Sequence, residues 1–449
     1  MSGSNVLRPT ALPRGAYLAS TLVARSDAGR TYLAIILFYL LLVPPQFNVT
    51  LGDVYLSPFR IFLIVGSLYL VFAGLRKELR WTVPDFFIGL GTLWIWLASY
   101  MNSGSVGTAL VMGGSHTVDI GLAYFTARVG VRTPNDLRRF LVLCAPGAAF
   151  MGAMVLAEAI SHQLIVQRIA GLLTGQPYPT RRDVRLGFMR GMASFPHPIL
   201  AGIFLGSLLP LYWFSGLRGW PKYLGMVSSV FGVFSMSSAA MLALVVGGAL
   251  SIYDWLTERI KNLTWQIFLT FSAILYIAVE LTSNTGFYGL LIRYASLDTA
   301  TAYNRVLIWE FGTDNIAQHP FFGIGYSDWD RPDWMHSGSF DHFWLIMALR
   351  FGIPETVFLL GATLIALVMI AVRSRSLAFH DGRLLRGVTI SLAVFALGVN
   401  SVSLWMAPLV WYFMLLGLTV SLGSMRVPSA QRRRVPMPAT RRTSAPPLM

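Results

Sequence analysis

PFFGIGYSDWDRPDWMHSGSFDHFWLIMALRFGIP, residues 320–354, stands between runs so apolar that only lipid can solvate them, Trp265–Leu281 before it and Ile353–Ala371 after it. A segment rich in acids, aromatics and two histidines in such a setting is a site candidate first and a linker second. The flanking runs decide the fold class, because about 20 apolar residues carry a helix across a bilayer.

The rest of the chain repeats that pattern. Of 449 residues 55% are hydrophobic and only 12% charged, with mean hydropathy +0.60, far below the roughly 25% charge of a soluble domain. The sequence therefore predicts an all-α polytopic integral membrane protein. Twelve spans are expected: Tyr32–Pro44, Phe59–Leu75, Asp85–Met101, Val118–Val131, Phe140–Ile160, Pro198–Leu217, two within Tyr223–Trp255 split at Ser235–Ser238, Trp265–Leu281, Ile353–Ala371, Val388–Asn400 and Leu404–Leu422. No repeat and no inverted duplication of the span pattern is visible, which weighs against a carrier.

The net charge of +15 and pI near 10.2 come mostly from short loops and the tail. Clusters such as Arg76, Lys77 and Arg80, then Arg132, Arg138 and Arg139, then Arg373, Arg375, Arg383 and Arg386 fall on one side of the predicted spans. By the positive-inside rule that side is cytoplasmic and holds both termini, which reads as topology and anionic-lipid contact and not as nucleic-acid binding. Residues 1–31 form a basic cytoplasmic segment with no expected signal cleavage, residues 32–424 the transmembrane domain, and residues 425–449 a basic, Pro-rich tail expected to be disordered. The lone Cys144 excludes an intramolecular disulfide and a cysteine-based metal cluster.

Two loops, 161–197 and 282–352, are placed outside by this count and carry charge that topology does not require. The first holds Arg168, Arg181, Arg182, Arg185 and Arg190 and no lysine. Guanidinium groups bind phosphate bidentately and stay charged at any pH. The TRRDVR cluster at 180–185 equally suits a solvated loop at lipid head groups, whereas Arg190, just before a span, must find a partner or an aqueous cavity. In the second loop Arg293, Arg305 and Arg331 are joined by Arg350, at the end of a short helix predicted to start with Ser339 as N-cap and Asp341 in its first turn. Asp341 beside His342 suits proton transfer, or simply a cap beside an interfacial histidine. Asp328, Trp329, Asp330, Arg331 and Asp333 fit a divalent ion, a sugar contact or a plain acidic turn. His319 and His197, each next to proline, read as structural or interfacial ahead of ligands. No HExxH, P-loop or GxSxG pattern occurs.

Arg305–Trp309 followed by HPFFGIGYSDW (319–329) and DHFWLIMALRFGIP (341–354) resembles the signature of the O-antigen ligase and polymerase family. RGMASFPHPILAGIFL (190–205) and SMSSAAMLALVVG (235–247) resemble that family's arginine-led span and Ser-rich segment, so the resemblance covers about Arg190 to Leu360. Two departures stand out. Ser238 and Ala239 stand where an arginine usually follows the serines, and Asp341–His342 stands where ligases show His then Asn.

The resemblance implies a bacterial inner-membrane enzyme whose partner is an undecaprenyl-diphosphate-linked glycan presented from the outer leaflet, together with membrane lipids and other polysaccharide assembly proteins. It implies glycosyl transfer without a cofactor or metal, with positive charge at the diphosphate and a base at the acceptor hydroxyl. Arg190, Arg305 and Arg185 are assigned to the diphosphate, His342 with Asp341 to the base, His336 as second choice, and Trp329, Trp334 and Trp344 to sugar platforms. Repeat-unit polymerisation is expected ahead of ligation to the lipid A-core. A lipid-linked-glycan transporter and a noncatalytic assembly subunit are the competing classes.

Overall fold

Apolar runs closed by basic turns should form long helices, since only a helix satisfies its own backbone in lipid. The computed structural model describes residues 29–52, 54–75, 79–180, 183–283, 286, 299–335 and 337–425, and in it every predicted span coincides with helix. In chain order these are α1 (Gly29–Leu41), α2 (Pro58–Leu75), α3 (Val83–Ser103), α4 (Val106–His116) and α5 (Ala123–Gly130), then α6 (Pro134–Ser161), α7 (Ile165–Thr174), α8 (Pro198–Phe214), α9 (Trp220–Phe231) and α10 (Ser238–Thr257). After them come α11 (Trp265–Thr282), α12 (Thr299–Gln318), α13 (Phe343–Phe351), α14 (Ile353–Arg375), α15 (Phe379–Gly398) and α16 (Met406–Ser424). Two antiparallel hairpins complete the described residues, β1 (Val49–Leu51) with β2 (Val54–Leu56) and β3 (Val184–Arg185) with β4 (Phe188–Met189).

Six helices are long and apolar enough to cross a membrane by length and composition: α6, α10, α11, α14, α15 with its 3-10 extension to Ser401, and α16. The chain is an all-helical, membrane-spanning protein. The proposed basic N-terminal segment and Pro-rich tail lie almost wholly outside the described residues, as do Arg181, Arg182, Arg293 and His336.

α16 is the axis. Nearly all of it is buried, and its Trp411 stacks on Phe140 of α6 while the indole Nε1 donates to Ser207 of α8 at 3.0 Å. Its Gly417 lies against α5, where a Cβ would meet the Tyr124 carbonyl at 2.3 Å, so any other residue would push the two helices apart. α11, by contrast, buries no residue and lies at the rim.

Predicted boundaries shift where tertiary contacts override the pattern. The span expected at Val118–Val131 is the second half of a longer rod, α4 and α5, joined by a π-helical turn at Thr117–Leu122 that carries the buried Asp119. Such turns replace i→i+4 bonds by wider ones and recur at functional sites. The region expected as one long loop, 282–352, contains α12 and α13. Ser339 does not cap α13. His342 is the N-cap, its Nδ1 accepting from the Leu345 amide at 3.2 Å, and Asp341 lies just outside the helix.

The α13–α14 elbow explains the GIG motif at 323–325. The amides of Ile324 and Gly325 donate to the carbonyls of Leu349 and Arg350 at 2.8 and 3.0 Å, and the amide of Ile353 donates to Pro320 at 2.8 Å. Gly323 has φ +65°, and a Cβ there would lie 2.3 Å from the Leu349 carbonyl, so glycine alone permits this backbone pairing. α13 is thereby held against the bundle, with Phe343, Trp344, Met347 and Phe351 in the main core.

Candidate functional site

Charges on these helices gather at two ends of the bundle. One end, at the start of α3 and the end of α14, holds the predicted cytoplasmic arginines. At the other, the loops before α8, between α9 and α10, around α12–α13 and before α16 come together; this is the site end.

One arm is built on loop 161–197. Glu158, fully buried at the last turns of α6, accepts backbone N–H from Val166, Met192 and Ala193 at 3.1, 3.0 and 2.8 Å and so closes the loop on itself. The buried amide of Gln167 adds bonds to the Ala193 and Phe195 carbonyls, both at 2.9 Å. Thus fixed, Gly191 donates to Phe234 at 3.1 Å in the Ser-rich turn, where only glycine fits because a Cβ would meet the Val155 carbonyl at 2.2 Å.

Arg190, 6% exposed, is presented by that backbone. Its Nη1 donates to Asp183 at 2.7 Å and its Nε to the Ser235 carbonyl at 3.4 Å, while its buried Nη2 has no hydrogen-bond partner in the structure. A charged N–H left buried and unmatched costs free energy unless a ligand meets it. Burial, with the Arg185 charge on β3, pulls the Arg190 pKa down against Asp183.

Arg190 lines a cavity of about 300 Å³ together with Asp183, His197 and Pro179. His197 caps α8, its Nδ1 accepting from the Ile199 amide at 3.3 Å; burial and the Arg190 charge lower its pKa to about 4, so it is neutral. The sequence reading of His197 as merely structural omitted this shared cavity.

The second arm is a small separate core in which Leu307, Ile308 and Ile316 of α12 pack with Trp329, Phe340 and Ile346. It buries Arg305, whose Nη2 donates to the Ser401 carbonyl at 3.1 Å and whose charge acts on Asp341. Burial raises the Asp341 pKa above the usual carboxylate range and Arg305 opposes the rise. His342 is 4% exposed, with its ring 5.7 Å from that of Trp309, and burial lowers its pKa to about 3. Because its Nδ1 accepts the Leu345 N–H, the neutral ring carries its proton on Nε2. His342 in this arrangement is a donor, and the group suited to accept a proton is Asp341, the reverse of the roles expected from sequence.

The arms meet on one loop. The Trp405 ring lies 6.1 Å from His197, and four residues earlier the Ser401 carbonyl holds Arg305. The loop entering α16 therefore touches both arms, at His197 on the side of Arg190 and at Arg305 on the side of Asp341.

The tryptophans divide. Trp344 is 7% exposed in the main core, its Nε1 donating to Ala396 at 3.4 Å, and Trp329 is 5% exposed, edge-on to Phe340 at 5.1 Å. Neither offers a ring face to a sugar in this structure, a correction to their reading as platforms; burial in the two cores claims them. Trp334 is exposed. Asp328, offered as a metal ligand or sugar contact, is held by Arg331 at 2.6 Å, which lowers its pKa. Among the described residues no three His, Cys, Asp or Glu side chains are gathered for a metal ion.

A further cationic group lies at the far end of α13, where Arg350 closes the DHFWLIMALR stretch. Arg350 stacks over Tyr326 at 4.4 Å, and nearby Arg60 grips Asp119 of the π-turn with Nε and Nη2 at 2.9 and 2.6 Å. An arginine and an aspartate each at the second position of a predicted span, Arg60 and Asp119, were the available signals for the second pair.

Fold and site together define a polytopic helical membrane protein with an arginine-rich recess at one end. Residues 224–360 match the protein family described as O-antigen ligase, from α9 into the first turns of α14. The match includes the Ser-rich turn, Arg305, Asp341 and His342 and leaves out Arg185, Arg190 and His197. No curated protein matches the chain.

Proposed function

We propose that this chain is a glycan transferase of the O-antigen ligase type, moving a glycan from undecaprenyl diphosphate to a hydroxyl of an acceptor such as the lipid A-core. The observation that carries the reading is that the loop before α16 touches both arms, Trp405 lying beside His197 of the Arg190 arm and the Ser401 carbonyl holding Arg305, whose charge acts on Asp341. The family description supports ligation ahead of the repeat-unit polymerisation favoured from sequence.

In the proposed step the acceptor oxygen bonds to the anomeric carbon as the carbon–oxygen bond to the diphosphate breaks. The hydroxyl proton passes to Asp341, and the electron pair leaves on the diphosphate, which Arg190 and Arg305 meet with Arg185 at the rim. His342 contributes an Nε2–H to an oxygen of the glycan or diphosphate. Trp334 is the platform for a sugar further out. Two charges buried within helices, Arg128 and Arg60, are closed by Asp85 and Asp119, whereas Glu355 of α14 is buried with both carboxylate oxygens unmatched, so the reading as a site opening on one face rests on the recess itself. The proposed location is the bacterial inner membrane, crossed twelve times, with the site on the periplasmic face and both termini in the cytoplasm.

The test is glycan profiling of a strain lacking the gene, complemented with wild type, Arg305→Ala or Asp341→Asn. Long chains accumulating on the lipid carrier in both mutants identify a ligase. Single repeat units in place of long chains identify a polymerase, and an unchanged profile in both mutants removes the catalytic assignment.

A further inference from the structure

The basic end of the bundle carries a groove of about 590 Å³ that the transfer reaction does not use. Its head is formed by two guanidinium groups, and its floor is apolar. Arg80, before α3, donates Nη1 to the Ser424 carbonyl at 3.4 Å, and Arg373, in the last turn of α14, donates Nε to the Gly423 carbonyl at 3.1 Å. The two side chains thus converge on adjacent carbonyls at the C-terminus of α16. Each commits one N–H there, out of the five an arginine carries. Neither makes an ion pair with a carboxylate among the described residues, and Asp85 of α3 is taken up by Arg128, Tyr124 and Thr82.

Below the arginines the groove runs along Val368 and Val372 of α14, 64% and 62% exposed, with Leu364 continuing the same face and Trp81 at the rim. Residues 364, 368 and 372 are spaced four apart, so they make one stripe about 12 Å long. An exposed aliphatic stripe leading from paired arginines, with an indole at the depth of the helix ends, matches one molecule with an anionic head and an alkyl tail.

We propose that this groove is a binding site for one anionic glycerophospholipid, its phosphate held by Arg80 and Arg373 and an acyl chain laid along Val372, Val368 and Leu364. Capping the α16 carbonyls accounts for one N–H of each arginine. It does not account for both converging, with no acid paired to them among the described residues, at the top of a lipid-facing groove. A free phosphate would use the arginines and leave the stripe bare, whereas a neutral lipid would use the stripe and leave the two charges unmatched.

Native mass spectrometry of the purified full-length protein, with phosphatidylglycerol and phosphatidylcholine supplied in equal amounts, tests this. One phosphatidylglycerol should be retained with at least about tenfold preference, and the R80Q/R373Q double variant should lose that preference. Because that variant also removes caps from α16, a second change is needed that leaves the arginines alone. V368W fills the groove and should displace the lipid while thermal unfolding stays near wild type. Equal retention of the two lipids by wild type, or undiminished phosphatidylglycerol retention in both variants, would overturn the proposal. So would wild type and V368W being stabilised alike by millimolar inorganic phosphate and not by phosphatidylglycerol, which would make the site one for free phosphate.

Discussion

At the basic end of the bundle three arginines packed between helices meet carboxylates, while Arg80 and Arg373 cap backbone carbonyls of α16 instead. Arg128 grips Asp85 through two nitrogens at 2.8 and 2.7 Å, Arg386 joins Asp254 at 2.9 Å and also Glu258, and Arg138 binds Asp381 at 2.7 Å. At the site end the balance differs. Arg190 reaches one oxygen of a half-exposed aspartate and keeps a buried Nη2 unmatched, Arg305 leans on a backbone carbonyl, and Arg350 lies over a tyrosine ring. A guanidinium whose charge is closed by a carboxylate holds helices together, whereas Arg190, with a buried Nη2 unmatched, keeps an N–H for something that arrives. Arg60 with Asp119 shows that the site end can close pairs too, so the open ones are a matter of placement.

The largest expected effect breaks the comparison at its extremes. Arg128→Ala leaves Asp85 buried beside Tyr124 and should cost about 3–5 kcal/mol, read as loss of folded protein in the membrane fraction. Arg190→Ala should leave the folded yield near wild type while glycan transfer falls about 100- to 1000-fold. If Arg190→Ala lowers yield as Arg128→Ala does, the two ends do not differ in kind.

The proton-transfer assignment sharpens the site arm. A base must be deprotonated, so transfer rate should rise with pH through a single limb lying above the usual carboxylate value of about 4, since burial raises Asp341. Arg305 opposes that rise, so the residual activity of Arg305→Gln should show the limb moved to higher pH. His342, at about 3, is neutral throughout and should add no limb near 6.5. His342→Asn, which retains a capping oxygen and an N–H donor, should keep most activity, while His342→Ala should lose about tenfold or more. A limb near 6.5 that disappears in His342→Asn would restore His342 as the base.

What was legible in the chain follows from the range of the forces involved. The helices fall where apolar runs end at basic turns, because a bilayer imposes length and polarity on each segment separately. Loop 282–352 stood out as a site candidate, through Arg305 and Asp341, for the related reason that charge there serves no topological purpose. Roles within it were not. Whether Ser339 or His342 caps α13 depends on where Phe343 and Trp344 dock against Tyr412, and the Nδ1 bond that sets the imidazole tautomer follows from the cap. The GIG staple, the π-turn at Asp119 and the clamp of Glu158 on three amides likewise join residues far apart in sequence or depart from regular helix, and periodicity carries no information about either.

The smallest expected effect separates tryptophans of one loop. Trp329 is enclosed by its own core, edge-on to Phe340, with Arg331 stacked at 5.4 Å, while Trp334 lies five residues on with its ring exposed. Trp329→Ala should destabilise the α12–α13 arm by about 3–5 kcal/mol, seen as early proteolysis within 299–351. Trp334→Ala removes little buried surface and should leave proteolysis unchanged, but it should weaken the glycan acceptor by about two- to fivefold in KM with kcat nearly intact. A matching loss in kcat would place Trp334 against the reacting sugar. Unchanged kinetics would leave Trp334 without a sugar to hold, and recognition would then fall to Trp309, which is also exposed on α12, and to the polar groups of the recess around Arg190.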